Sequence, residues 1–243
     1  MGSSYFYLEF LLAFISLLKA SGYRNPAILA LEYTLVPDAC YPTQIHQALA
    51  GYQYALSIIQ DPSKVCVSGD SAGGSIILSM LLHIATAGRA SENNLPIQSI
   101  ETRIPGMAVL ISPWVTLVSP FDKNTRSDYL DAASLHLYAR QYAGKISVSD
   151  PLISPGNCKD LDIWRRASPS NGFYVMYGKE EVFAPEIRGW LSLMKQAGHA
   201  CESREEEGGI HAWPVASLFL SSTRQQRQRG LKDIVEHIRT RID

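Results

Sequence analysis

The sequence has almost no net charge and no cysteine pattern typical of metal binding. Its 22 Lys and Arg residues nearly cancel 23 Asp and Glu residues, which leaves a formal net charge of −1. That balance argues against general binding to nucleic acid or to anionic membranes. The four cysteines contain no CxxC pair, so we expect neither a zinc site nor a disulfide scaffold.

The sequence also lacks an apolar run long enough to cross a bilayer. Residues 5–18 are apolar but include Glu9 and Ser16, and a membrane-spanning helix needs about 20 residues. A secretory signal has basic residues before its apolar stretch, and none precedes this one. The myristoylation motif requires Ser or Thr at the sixth position, where this sequence has Phe6. We therefore expect a helix packed on the domain, no stable membrane insertion and a cytoplasmic location.

The 243 residues are 46% hydrophobic, which suits one globular domain spanning 1–243. Short apolar runs alternate with longer helical patterns, and this alternation predicts an α/β fold with a mostly parallel sheet flanked by helices. The predicted strands are 27–33, 64–68, 107–111, 173–177 and a polar edge strand at 200–207. The predicted helices are 43–59, 74–87, 186–197 and 231–242.

Residues 120–150 break the alternation of strands and helices. The segment is polar, carries Tyr129, Leu130, Leu135 and Tyr138, and predicts an inserted helical excursion. We interpret residues 1–24 and 120–150 as elements of a small helical lid or cap.

The motif Gly69-Asp70-Ser71-Ala72-Gly73 fits G-x-S-x-G and lies between a predicted strand and a predicted helix. A serine at such a turn projects its hydroxyl from the sheet, and we expect both glycines to remove side chains that would clash. The helix N-terminus, including the Ala72 amide, favours a developing oxyanion, and Asp70 is placed to shape the turn. Neither GxxxxGK[ST] nor GxGxxG occurs here, which argues against a phosphate-binding loop.

A serine hydroxyl needs a base, and six histidines compete for that role. In this architecture the order along the chain is Ser, acid, His, each in a loop after a strand. Only His211 lies in the loop directly after the last predicted strand, following the flexible pair Gly208-Gly209. The others are expected to be packing or surface residues: His46, His83, His136, His199 and His237.

The acid that orients the imidazole is expected in the loop after strand 173–177. That loop contains Glu180 and Glu181, either of which is within reach, although a solvated surface role suits Glu180 better. Asp122, in the loop after the preceding strand, is the alternative.

Six motifs in chain order resemble the hormone-sensitive-lipase-like branch of the α/β hydrolases, especially its small fungal and bacterial esterases. They are YTLVPD at 33–38 (similar to YxLxPE), YP at 41–42 with the helix that follows, GDSAGG at 69–74, SPW at 112–114, DPLISP at 150–155, and HAW at 211–213 where the family has HGF. The resemblance implies an esterase with Ser71 as nucleophile, Glu181 as acid in place of the usual aspartate, and His211 as base.

The same resemblance implies an acyl-enzyme mechanism on a small-molecule ester, without a cofactor or metal. We take Trp114, Phe183 and Trp213 as candidates for the substrate pocket. The sequence leaves open the acyl length, ester against amide or thioester, and the oligomeric state.

The chain departs from the family at its start. Relatives carry an HGGG run that builds most of the oxyanion hole, and this sequence begins just after it, so only the amides of Ala72, Gly2 and Ser3 are candidate donors. In the family the strand leading into HGGG lies between those matching 27–33 and 64–68, so we expect a gap there or direct pairing. The alternative function is therefore a weak or inactive hydrolase-fold fragment, or a ligand-binding protein.

Overall fold

The computed structural model describes residues 4–87 and 103–242. Its strands are β1 (Cys66–Asp70), β2 (Met107–Ile111), β3 (Phe173–Gly178) and β4 (Cys201–Glu206). Its α-helices are α1 (Ser4–Ala20), α2 (Thr43–Ile59), α3 (Ala72–Ala87), α4 (Ala132–Ala143), α5 (Leu161–Ala167), α6 (Ala184–Gln196), α7 (Trp213–Leu220) and α8 (Arg224–Arg239).

The four strands form one parallel sheet in the order β1-β2-β3-β4. Asp70 lies opposite Ile111, and Ile111 opposite Met176, so the carboxyl ends of the first three strands meet at one edge. Helices connect successive strands, as parallel pairing requires. The predicted α/β fold with a parallel sheet is confirmed, and the polar strand at the sheet edge is β4.

Side chains that alternate along β2 and β3 divide the core into two layers. Leu110 and Val175 pack towards α3, α5 and α6. Val109 and Met176 pack on the other face, with residues of α1, α7 and α8. Helices on both faces explain why these strands are apolar at every position rather than at every second one.

The prediction of a strand at 27–33 is wrong. The segment has no strand conformation, and Ile28, Leu29 and Leu31 are exposed. Its apolar, partly β-branched sequence favours a strand, but a strand also needs a partner for its backbone groups. Within the described part of the chain β1 pairs only with β2, so the expected direct pairing of 27–33 with β1 is not made either.

The predicted helices are present, and the largest difference between predicted and observed bounds is at the last helix. Helix α2 has the predicted bounds, whereas α8 begins seven residues before the predicted start of its helix. Thr223 and Gln226 form a capping box there, and the polar residues after Thr223 give no apolar periodicity. The α1 helix packs on the domain through Phe10 and Leu18. None of the helices described combines the length and apolar character needed to cross a membrane.

The predicted helical excursion at 120–150 contains α4. Leu135, Ala139 and Ala143 of this helix are buried against the first core layer. The assignment of this segment and of residues 1–24 to a lid stays a prediction.

Candidate active site

The turn between β1 and α3 holds Ser71 in a left-handed backbone conformation, with φ of +52°. Non-glycine residues rarely adopt this conformation, and it is typical of functional turns. Two backbone hydrogen bonds fix it: the Ser71 N–H donates to the Ile111 carbonyl (3.0 Å), and the Trp114 N–H donates to the Ser71 carbonyl (3.1 Å). The serine is therefore anchored to the end of the neighbouring strand.

Close packing explains why Gly69 and Gly74 are glycines. Of the two glycines expected to relieve a clash, Gly69 and Gly73, it explains only Gly69. A Cβ on Gly69 would lie 2.5 Å from the Gly73 carbonyl carbon, and one on Gly74 would lie 2.8 Å from the Pro113 Cβ. A Cβ on Gly73 would meet nothing within 4 Å. The expectation that Gly73 removes a clash is wrong, because the tight contact behind the turn is made by Gly74.

Ala72 begins α3, so its amide lies at the positive end of the helix dipole beside Ser71. Of the predicted oxyanion donors, it is the one that lies within the described residues, and its role as a donor stays a prediction. The other two predicted donors, Gly2 and Ser3, lie outside the described residues.

The carboxylate of Asp70 connects the turn to the first helix. The Tyr7 hydroxyl of α1 donates to Asp70 Oδ2 at 2.7 Å. Burial, together with the Asp70 carboxylate, raises the pKa of the Tyr7 phenol, which therefore stays protonated and remains a donor. Asp70 thus holds α1 against the turn, in line with a role in shaping it.

Glu181 and His211 lie next to each other in the interior, where their side chains are 0% and 4% exposed. Glu181 Oε1 is 3.7 Å from His211 Nδ1, and neither atom has another hydrogen-bond partner. The other carboxylate oxygen, Oε2, accepts from the Ser112 hydroxyl (2.6 Å) and from the Gly178 N–H (2.8 Å). The carboxylate is therefore held through one oxygen while the other faces the imidazole.

The two other candidate acids are engaged elsewhere. Glu180 is exposed, and its carboxylate and carbonyl accept from Ser127 and Thr125. Asp122 accepts from His136 Nε2 at 2.9 Å, and burial raises the pKa of its carboxyl. The structure therefore brings only Glu181, of these three, to His211.

Two glycines let the loop carrying His211 approach the loop carrying Glu181. A Cβ on Gly178 would lie 2.2 Å from the Gly209 carbonyl oxygen, so this contact allows no side chain. Gly208 has φ of +66°, which glycine adopts without strain. The Gly208-Gly209 pair thus provides close packing as well as the expected turn.

Backbone contacts at the carboxyl edge link Ser71 indirectly to His211. Ser71 bonds to Ile111, and the next residue, Ser112, accepts from the Ala212 N–H at 2.9 Å. Among the described residues the Ser71 hydroxyl makes no hydrogen bond to His211, as is common in hydrolases without substrate.

The aromatic residues expected in the pocket separate into two groups. Trp114 and Phe183 stack with ring centroids 5.5 Å apart, and Phe183 meets the His211 ring edge-on at 5.1 Å. The structure does not bring Trp213 to this pair of rings: Trp213 is buried in the opposite core layer, where Arg204 and Arg229 cover its ring. The assignment of the three residues to a substrate pocket stays a prediction.

Two polar residues at the site were not recognised as candidates from sequence. Ser112, fully buried with φ of +45°, contacts both Glu181 and Ala212. Asp128 accepts from the backbone N–H of His211. Ser112 belongs to the SPW motif, which was available as an indication, whereas nothing in the sequence distinguishes Asp128 from other acidic residues.

A serine in a strained strand-to-helix turn, with a buried acid and histidine at the same carboxyl edge of a parallel sheet, is typical of the hydrolase class of α/β proteins. A family model described as the alpha/beta hydrolase fold matches residues 18–215. The chain belongs to this family.

Among known proteins, "Putative steryl acetyl hydrolase mug81" of Schizosaccharomyces pombe is 30% identical over 70% of this chain and 44% of its own length. An "Acetyl-hydrolase" of Streptomyces hygroscopicus is 28% identical over 77% of this chain and 57% of its own length. The chain thus spans about half the length of the curated relatives it matches.

Solved structures agree on the fold. An esterase from the bacterial hormone-sensitive lipase family superimposes with a TM-score of 0.73 at 24% identity, covering 95% of this chain and 70% of the other. At that level of identity the likeness supports the fold alone.

Proposed function

We propose that the protein hydrolyses carboxylic esters through Ser71, with His211 as base and Glu181 as the acid that orients it. The observation that carries the proposal is the buried pair of Glu181 Oε1 and His211 Nδ1, 3.7 Å apart, at the sheet edge where Ser71 occupies its strained turn. The names of the relatives, which include acetyl hydrolases, support the same reaction class.

The proposed reaction is acyl transfer in two halves. Ser71 Oγ attacks the ester carbonyl while His211 Nε2 takes the hydroxyl proton, and the Ala72 N–H donates to the resulting oxyanion. The C–O bond to the alcohol then breaks, and His211 returns the proton to the leaving alcohol. Water, deprotonated by His211, attacks the acyl-enzyme and releases the acid and free Ser71.

Glu181 stabilises the imidazolium that forms in each half of this reaction. Ser112 and the Gly178 N–H hold one carboxylate oxygen, so the other is directed at His211 Nδ1. Tyr129 also supports this histidine, because its hydroxyl donates to the His211 carbonyl at 3.3 Å. Burial, and to a lesser extent the nearby carboxylates, raises the pKa of Tyr129 to about 12, so the phenol is protonated at neutral pH.

Labelling with a fluorophosphonate probe tests the nucleophile. We expect covalent modification of Ser71 in the unaltered protein and none in S71A or H211A, because the hydroxyl reacts only when a base activates it. Matched controls are S57A and H46A, which alter exposed residues of α2 and should label normally. A folded sample that does not label, while still binding an ester analogue, would favour the ligand-binding alternative.

We further propose a small-molecule ester with a short acyl group as the substrate. Trp114 is 6% and Phe183 1% exposed; the Trp114 N–H donates to the Ser71 carbonyl, and the Phe183 ring, stacked on Trp114, meets the His211 ring edge-on. Bulky rigid rings at this place limit the length of an acyl chain.

Acyl-length preference is measured with p-nitrophenyl esters. We expect kcat/KM to be at least about tenfold higher for the acetate than for the octanoate, since each methylene that does not fit costs about 1 kcal/mol or more. A rate that rises steadily with chain length would contradict the short-acyl assignment while leaving the nucleophile unaffected.

A further inference from the structure

Asp128, in the segment between β2 and α4, is a buried carboxylate without an ion-pair partner in the described part of the chain. Its Oδ2 accepts from the Val182 N–H at 2.9 Å, and its Oδ1 accepts from the His211 N–H at 3.1 Å. The N–H of the adjacent Tyr129 also donates to Oδ1, at 3.0 Å. Three backbone amides therefore satisfy this carboxylate in place of a cation.

Two of these contacts join the loops that carry the proposed acid and base. Val182 directly follows Glu181, and the other donor is His211 itself. The two loops follow different strands, β3 and β4, so no short stretch of chain fixes their spacing. The Asp128 carboxylate bonds to both loops, in addition to the bonds of Ser112 to Glu181 and Ala212 and the direct bond from the Glu180 N–H to the Gly209 carbonyl at 3.2 Å.

The segment around Asp128 is anchored to the same loops by further bonds. The Asp128 N–H donates to Thr125 Oγ1 at 3.0 Å, and the Thr125 hydroxyl donates to the Glu180 carbonyl at 2.9 Å. The Tyr129 hydroxyl reaches the His211 carbonyl on the other side. Asp128 thus sits in a clamp, residues 125–129, that makes three hydrogen bonds to the loop after β3, including one from the Ser127 hydroxyl to the Glu180 carboxylate, and two to the loop after β4.

The spacing of the two loops decides whether the proposed pair can work. The gap of 3.7 Å between Glu181 Oε1 and His211 Nδ1 is longer than a hydrogen bond, and both atoms lack another partner. A shift of either backbone by a few tenths of an ångström would close or widen it. Misplacement by about 1 Å at a catalytic centre can cost about 10² in rate.

We propose that Asp128 is a positioning residue that sets the Glu181–His211 alignment through the Val182 and His211 amides. It does not touch the substrate in this role and exchanges no proton. The inference rests on the proposed function, because the alignment has a kinetic effect only if that pair catalyses ester hydrolysis.

The substitution D128N tests this role by replacing one accepting oxygen with an amide NH2, which cannot accept from a backbone N–H. We expect kcat for p-nitrophenyl acetate to fall about 10- to 100-fold with KM within about twofold. The matched control is D131N, three residues on, which caps α4 by accepting from the Ser134 N–H at 2.9 Å. Asparagine caps equally well, so D131N should keep normal kinetics. An unchanged kcat in folded D128N would overturn the proposal.

A double-mutant cycle separates positioning from a merely structural effect. If Asp128 acts through the Glu181–His211 pair, adding D128N to E181Q should lower kcat by less than about threefold, because the alignment is already lost. The same fold loss in both backgrounds would show an independent structural role and overturn the inference.

Amide hydrogen exchange supplies a readout that does not depend on turnover. We expect slow exchange at Val182 and His211 in the unaltered protein and faster exchange at both in D128N, with the amides of β2 unchanged. Fast exchange at both positions in the unaltered protein would show that the clamp does not protect these amides, and it would overturn the inference. Failure of Ser71 to label would count against the proposed function alone, since the exchange result stands without it.

Discussion

Three non-glycine residues at the site adopt the left-handed backbone region: Ser71 (φ +52°), Ser112 (+45°) and Ala212 (+50°). Each such conformation costs of order 1–3 kcal/mol and persists only where its surroundings enforce it. Hydrogen bonds supply that enforcement here, from the Ser71 N–H to the Ile111 carbonyl and from the Ala212 N–H to the Ser112 hydroxyl. Strain is thus concentrated at the sheet edge where the chemistry is proposed.

The pair Glu180 and Glu181 gives a direct test of which carboxylate serves as the acid. We expect E181Q to lower kcat by about 10³–10⁴-fold, because the amide cannot stabilise the imidazolium, while E180Q changes kcat less than about threefold. Both are measured by hydrolysis of p-nitrophenyl acetate. Equal losses in the two variants would argue against assigning the acid to Glu181.

At the scale of single residues, the sequence predicts the candidate catalytic residues but not the residues that hold them in position. The order Ser71, acid, His211 follows from the motif and from loop positions after strands. The contacts of Asp128 depend on three segments distant in sequence, and no local pattern encodes them. The sequence likewise does not show that Trp213 packs in the core layer opposite Trp114 and Phe183, because proximity to His211 in sequence does not determine the face of the sheet.

At the scale of elements, the junction of β1 and α3 requires Gly69 to pack directly on the first turn of α3 and Gly74 to pack on Pro113. Gly69 and Gly74 are the positions where a Cβ would collide, whereas Gly73 has open space. The G-x-S-x-G pattern alone does not separate these cases, since it marks Gly69 and Gly73 alike.

The substitutions G69A and G73A form a matched pair for this junction. We expect G69A to lower the free energy of unfolding by about 2 kcal/mol or more, because its Cβ meets backbone atoms that cannot move aside. G73A should be neutral or stabilising by up to about 1 kcal/mol, because alanine suits a helix better than glycine. Urea denaturation measures both, and a destabilised G73A with an unaffected G69A would contradict the packing argument.

Helices were easier to predict than strands because their hydrogen bonds are local. Helix α2 appears at its predicted bounds on apolar periodicity alone. The segment 27–33 has the composition of a strand, yet its conformation depends on a partner strand elsewhere in the chain. The extra turns of α8 escaped prediction because a capping box and charged residues, rather than apolar spacing, begin that helix.

For the whole molecule, ion pairs attach the edge strand β4 to its neighbours. Hydrogen bonds from Arg241 lower the pKa of Glu202, and those from Arg188 lower the pKa of Glu205. Arg204 also pairs with Asp233 of α8 at 2.7 Å. Each exposed pair contributes little, but together they hold a strand that has few buried side chains.

These lowered pKa values fix the sign of the pH dependence of stability. A carboxyl whose pKa is lower in the folded state stabilises the fold above its ordinary pKa, about 4.3 for Glu, and loses that contribution as pH falls. Burial lowers the pKa of His83, so we expect a modest fall in Tm between about pH 7 and 5.5 and a steeper fall below about pH 4.5. Thermal scans across this range measure it, with R188Q and R241Q expected to lessen the fall; a Tm that rises towards pH 4 would oppose this account.

The outer edge of β1 affects how the protein behaves in concentrated solution. No described strand pairs with β1 on the side away from β2, and Leu29 and Leu31 are exposed elsewhere on the surface. The amide and carbonyl groups of an unpaired strand edge can pair with a second chain and so extend the sheet. Concentrated samples are therefore expected to self-associate, and kinetic work belongs at low protein concentration.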